Sequence, residues 1–122
     1  QVVIIGCGPV LHNALRAAQS LANDISVVIL NAHTIKPLDT ETIARLAAEC
    51  GAVVTVEEHQ IAGGMGSAVA EVVARTNPVP IEFIGVHDVF GQSGKPDELM
   101  EHYGMGVSHI IDALRRVVKR KK

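Results

Sequence analysis

The sequence predicts a three-layer α/β/α domain built on a mainly parallel, four-stranded sheet. Four apolar runs rich in Val and Ile carry this expectation: Val2–Ile5, Ile25–Leu30, Ala52–Val56 and Ile81–Val86. None alternates cleanly with polar residues, which suits strands covered on both faces, as in a parallel sheet. Between the runs, apolar residues recur at helical spacing. Strands alternating with helices over short connections favour an α/β domain with right-handed crossovers.

The elements follow in order. "QVVIIG" opens the chain as a strand, and "GCGPVL" (Gly6–Leu11) turns it into a helix. In that helix Leu11, Leu15, Ala18 and Leu21 share one stripe. After the second strand, Asp39 is placed to cap a helix, with Pro37 just before it, and Gly51 to end it. Ile43, Leu46, Ala47 and Cys50 form the buried stripe of this helix. The third strand leads through "EEHQIAGGMG" (Glu57–Gly66) into a helix carrying Val69, Val72 and Val73. Pro78 and Pro80 flank the approach to the fourth strand. Late in the chain, "SGKPDELMEHYG" predicts a short helix, with Pro96 in its first turn and Gly104 at its end. A closing helix presents Ile110, Ile111, Leu114, Val117 and Val118. No internal repeat or low-complexity linker interrupts the pattern, so residues 1–122 read as one domain.

Composition narrows the function classes. Hydrophobic residues make up 48% of the chain, enough for a true core, and the net charge of −2 is spread along it. That balance gives no general attraction for nucleic acid or membrane. Aromatics are scarce (Phe83, Phe90, Tyr103), so there is little to stack bases on. The basic tail "RRVVKRKK" reads as a solvated helix end, where cations suit the negative pole of the macrodipole. Cys7 and Cys50 form no CxxC; Cys50 ends an apolar stripe as a small core residue, and a cytoplasmic location is expected. No apolar run reaches the ~18 residues of a membrane span. The abrupt start on a strand leads us to expect a piece of a longer polypeptide.

Each chemical candidate has a structural counterpart. "GCGPVL" holds two glycines of the dinucleotide fingerprint, but Leu11 stands at the third, and Asn31 stands where an acidic ribose ligand belongs; a tight strand-to-helix turn is the preferred reading. "GQSGKP" (Gly91–Pro96) imitates a P-loop. Val89 replaces its first glycine, however, and Pro96 the magnesium-binding hydroxyl. His33, His59 and His87 each follow an apolar strand, with Glu57, Glu58 and Asp88 nearby. Imidazole and carboxylate are zinc ligands, but these come from three separate loops without a paired HxH or HxxxH, so hydrogen bonding at an interface is preferred. His12, His102 and His109 read as surface residues of helices. No GxSxG or other nucleophile-and-base signature is present, and Ser67 has no recognisable catalytic partner in the sequence.

Three segments occur in a familiar order and spacing: "NAHTIKPLD" (Asn31–Asp39), "VTVEEHQIAGGMGSAVAEVV" (Val54–Val73) and "FGQSGKPDELMEHYG" (Phe90–Gly104). Together they resemble the C-terminal domain of transketolase-like enzymes over nearly the whole chain. The resemblance is greatest to the C-terminal subunit of split bacterial and archaeal transketolases. The same domain occurs in 1-deoxy-D-xylulose-5-phosphate synthase and in the β subunit of 2-oxoacid dehydrogenase E1 components; "SGKP" favours transketolase proper. The resemblance implies the strand order 2-1-3-4, and an antiparallel opening strand that this chain is expected to lack. It implies a transferase of the pentose phosphate pathway that moves a two-carbon ketol unit between sugar phosphates. The parent would use thiamine diphosphate and Mg2+, held between two other domains across a homodimer interface. The metal-binding GDG motif and the cofactor-activating glutamate belong to those domains, and no GDG occurs here. The isolated chain is therefore expected to bind no cofactor, to be inactive, and to partner the remaining transketolase domains or subunit.

Within this frame, Gly63, Gly64 and Gly66 are expected to let the backbone turn tightly and the next helix approach the sheet closely. If Gly64 occupies φ > 0, a Gly64→Val change should damage folding. Glu58 and His59 are expected to face the neighbouring domain or subunit rather than to catalyse. The loop still presents N–H groups at a helix N-terminus, so a second reading remains: a stand-alone regulatory domain that binds an anion or small molecule at the carboxyl edge.

Overall fold

The computed structural model describes residues 1–8, 10–32, 39–60, 64–86 and 106–121, with the side chains of residues 58–60 and 86 left aside. The elements are β1 (Val2–Gly6), α1 (Leu11–Ser20), β2 (Val27–Asn31), α2 (Thr40–Cys50), β3 (Val53–Gln60), α3 (Met65–Arg75), β4 (Ile81–Val86) and α4 (Val107–Arg120). The strands form one sheet in the order β2-β1-β3-β4. Every pairing is parallel, as expected. The helix expected around Pro96–Gly104 lies outside the described residues.

The non-alternating runs have a simple physical origin: both faces of the sheet are covered. Val2 and Ile4 of β1 sit in a cluster with Val54, Val56, Ile84, α1 and α4. Their neighbours Val3 and Ile5 sit in a second cluster with Val53, α2 and α3. Ile43, Leu46, Ala47 and Cys50 of α2 are all buried, as their spacing predicts. Asp39 caps α2: its carboxylate accepts from Thr42 N–H at 3.1 Å and from the Thr42 hydroxyl at 2.7 Å. Gly51 closes the same helix at φ 77°, in the left-handed region that favours glycine.

Three expectations need correction. α1 keeps two of the expected leucines inward but is rotated from the expected stripe: Leu21 is buried and Leu11 packs against the core, yet Val10, Ala14 and Ala17 fill the rest of the buried face while Leu15 is 49% exposed. The small alanines share a cluster with Ala113 and Leu114 of α4, so close approach of two helices outweighed the larger leucine side chain. The second strand begins at Val27 rather than Ile25, because Asp24 and Ile25 N–H both still donate to Leu21 O, each at 2.8 Å, in the turn that ends α1. His109, expected on the surface, is half-buried, with Nδ1 withdrawn from solvent.

The basic tail is also more than a solvated helix end. Arg116 Nε donates to Glu82 Oε1 at 2.9 Å, and Arg120 donates to Glu82 Oε2 and to Ile81 O. Burial alone would push the Glu82 carboxyl up. Hydrogen bonds from Arg116 and Arg120 outweigh it and hold the carboxyl below its ordinary value.

Candidate functional site

In a parallel sheet all strands end on the same edge, and here that edge carries Gly6, Asn31, Gln60 and Val86. The order β2-β1-β3-β4 reverses direction between β1 and β3. Crevices for ligands or partners open at such a switch point. Gly6 ends β1 there and admits no side chain: a Cβ would come within 2.3 Å of Val56 Cγ2 and 2.6 Å of Leu11 Cδ2. Gly8 follows at φ 83°, which makes the tight turn into α1. Two amides tie the edge together, Cys7 N–H to Val56 O at 3.3 Å and Ala32 N–H to Gly6 O at 2.8 Å.

The sequence reading ended the third strand at Val56, but β3 runs on to Gln60. It does so irregularly. Val56 pairs with Ile84 and Gln60 with Val86, so four steps along β3 match two along β4. The extra length is a bulge that spans Glu57, Glu58 and His59. Bulges occur where a strand must re-aim its side chains.

Glu57 is the residue that the sequence reading undervalued. It is 1% exposed. Both carboxylate oxygens lie 3.3 Å from the Gly66 amide nitrogen, in the first turn of α3. A buried carboxylate is costly unless it is hydrogen-bonded, and the positive end of a helix is a favourable place for it. The available signal was the first of two glutamates directly after a buried strand, nine residues before a glycine at a helix start.

The other predicted site residues fall as follows. Glu58 and His59 lie in the bulged end of β3. Gly63 lies outside the described residues, as do His33, His87 and Asp88. Gly64 is the N-cap of α3 at φ −92°, ψ −163°, an extended backbone, so the left-handed requirement considered for it does not hold. Close approach of helix and sheet falls instead to Gly66. A Cβ there would meet Thr55 Oγ1 at 3.0 Å and Phe83 Cδ1 at 3.1 Å. Among the described residues no three His, Cys, Asp or Glu side chains form a metal-ligating group. Cys7 is half-buried and Cys50 buried, neither is in a disulfide, and burial pushes the Cys50 thiol up.

A doubly wound α/β domain with a bulged strand and a clasped helix at its switch point is thus defined. The chain belongs to the transketolase C-terminal domain family, whose family model matches residues 1–110. It is 42% identical over 121 residues to a 6-deoxy-6-sulfo-D-fructose transketolase subunit of Clostridium sp. (strain MSTE9), covering 98% of this chain and 38% of that protein. It is also 42% identical to a putative transketolase C-terminal section of Methanocaldococcus jannaschii, again covering 98% of this chain and 38% of the relative. Among solved structures, a split-gene transketolase described as an inactive β4 tetramer superposes with a TM-score of 0.94 at 39% identity, over 100% of this chain and 40% of that one. The chain thus spans 38% of the length of each of these two curated relatives.

Proposed function

We propose that this chain serves as the non-catalytic C-terminal domain of a thiamine-diphosphate-dependent transketolase, and that its task is to dock on the remaining domains or companion subunit. The observation that carries this reading is the extent of the match. It runs through nearly the whole chain yet covers only 38% of relatives named as transketolase parts. Thiamine diphosphate and Mg2+ would belong to the parent enzyme, since no GDG occurs in this sequence. The reaction assigned to the parent is two-carbon ketol transfer between sugar phosphates, the chemistry of the pentose phosphate pathway. The name of the Clostridium relative specifies a sulfo-sugar, so the accepted sugar varies within the family. We assign the parent to a cytoplasmic homodimer, with Glu58 and His59 at the contact between this domain and its neighbours.

The alternative, a stand-alone anion-binding regulator, is disfavoured by the carboxylate of Glu57. It already receives the Gly66 amide, and it would repel a second anion at the N-terminus of α3. Calorimetry tests the proposal. The isolated chain should show no binding of thiamine diphosphate with Mg2+ tighter than about millimolar. Adding the companion part should restore ketol transfer. Tighter binding, or turnover by the chain alone, refutes the reading.

A further inference from the structure

We infer that Glu57 is a positioning residue: its buried carboxylate locks the bulged end of β3 to the first turn of α3 and so sets where Glu58 and His59 leave the sheet. This deepens the docking proposal and relies on it only for what meets that edge.

Three observations converge. The ladder between β3 and β4 is out of register across Glu57, Glu58 and His59, so regular strand pairing does not fix this stretch. The bulge therefore needs another anchor. Glu57 supplies one, with both oxygens 3.3 Å from the Gly66 amide nitrogen across nine residues of sequence. Finally, Gly66 is shaped for the contact: a Cβ would lie 3.5 Å from Glu57 Oε1 and press on Thr55 and Phe83 harder than ordinary contact allows. A leucine or methionine in place of Glu57 would cover α3 without burying a charge. A carboxyl group here incurs desolvation that an apolar side chain avoids, and in return its two oxygens share the Gly66 amide at 3.3 Å each, a polar tie between strand end and helix start that an apolar side chain could not make.

The test uses the complete enzyme and the isosteric Glu57→Gln variant, followed by amide hydrogen exchange and steady-state kinetics. Exchange over residues 57–60 and 64–67 should accelerate roughly tenfold or more, while β1 exchanges as in the wild type. The sugar-phosphate KM should rise or assembly weaken several-fold, with kcat preserved. Unchanged exchange at the bulge overturns the inference. Equal acceleration in β1 also overturns it, because Glu57 is then a general core residue. Local acceleration with KM and assembly unchanged upholds the clasp and removes the docking role proposed for this edge. Should Glu57→Gln not fold, Gly66→Ala opens the same contact while keeping the charge, and the same local response is required of it.

Discussion

Gly6 illustrates the residue scale. It ends a buried strand against Val56 and Leu11, with no room for even a methyl group, and the obstructing atoms include the Val56 carbonyl oxygen at 3.0 Å. Gly6→Ala should therefore destabilise the domain by about 1–3 kcal/mol, or prevent folding, as overpacked cores do. A urea midpoint close to the wild type would contradict this. Gly64→Val gives the contrast. The backbone there is extended, so no left-handed penalty applies, and the preference of an N-cap for glycine over valine is what is lost from the backbone. A loss of about 1 kcal/mol, smaller than for Gly6→Ala, is expected in the same titration.

At the scale of elements, α4 is held across the sheet by the Glu82 clamp. Both guanidinium partners are half exposed, so the contribution is modest, about 1 kcal/mol, and weakens in salt. Its pH dependence has a definite sign. The folded-state Glu82 carboxyl titrates below its ordinary value, so its stabilisation is present above the unfolded value and fades as pH falls through the folded one. Thermal melts of the wild type and Glu82→Gln should differ at pH 7, and the gap should close on acidification below the ordinary glutamate range. A gap that widens in acid would mean that the clamp is not what holds α4. α2 needs no such tether, since its buried stripe, Asp39 cap and left-handed Gly51 are all local to its own sequence.

At the scale of the whole molecule, the carboxyl edge is where this domain would meet its companion part. If Glu58 and His59 serve docking there, His59→Ala in the complete enzyme should weaken assembly or raise the sugar-phosphate KM. Turnover should fall by less than the roughly hundredfold typical of a lost general acid or base. A larger fall with assembly intact would place His59 among the catalytic groups. The same measurement on Glu57→Gln separates a residue that meets the partner from one that aims it.

What the sequence determined alone was everything set by short-range patterns. Uninterrupted Val and Ile runs mark doubly covered strands, because the sheet is covered on both faces. The strand order itself came from the resemblance, since the residue pattern does not choose which strands are neighbours. The α2 boundaries were legible because capping and left-handed closure depend on residues a few positions apart. The tertiary structure decided what depends on distance in space. It chose Ala14 and Ala17 of α1 over Leu15, because α4 lies against them. It extended β3 beyond Val56 through a bulge, which exists only relative to the register of β4. It also turned Glu57 from one of several acidic residues near histidines into a buried clasp. A bond across nine residues, from a strand end to a helix start, leaves no periodic signature in the sequence, and forms only when the strand and helix are brought together.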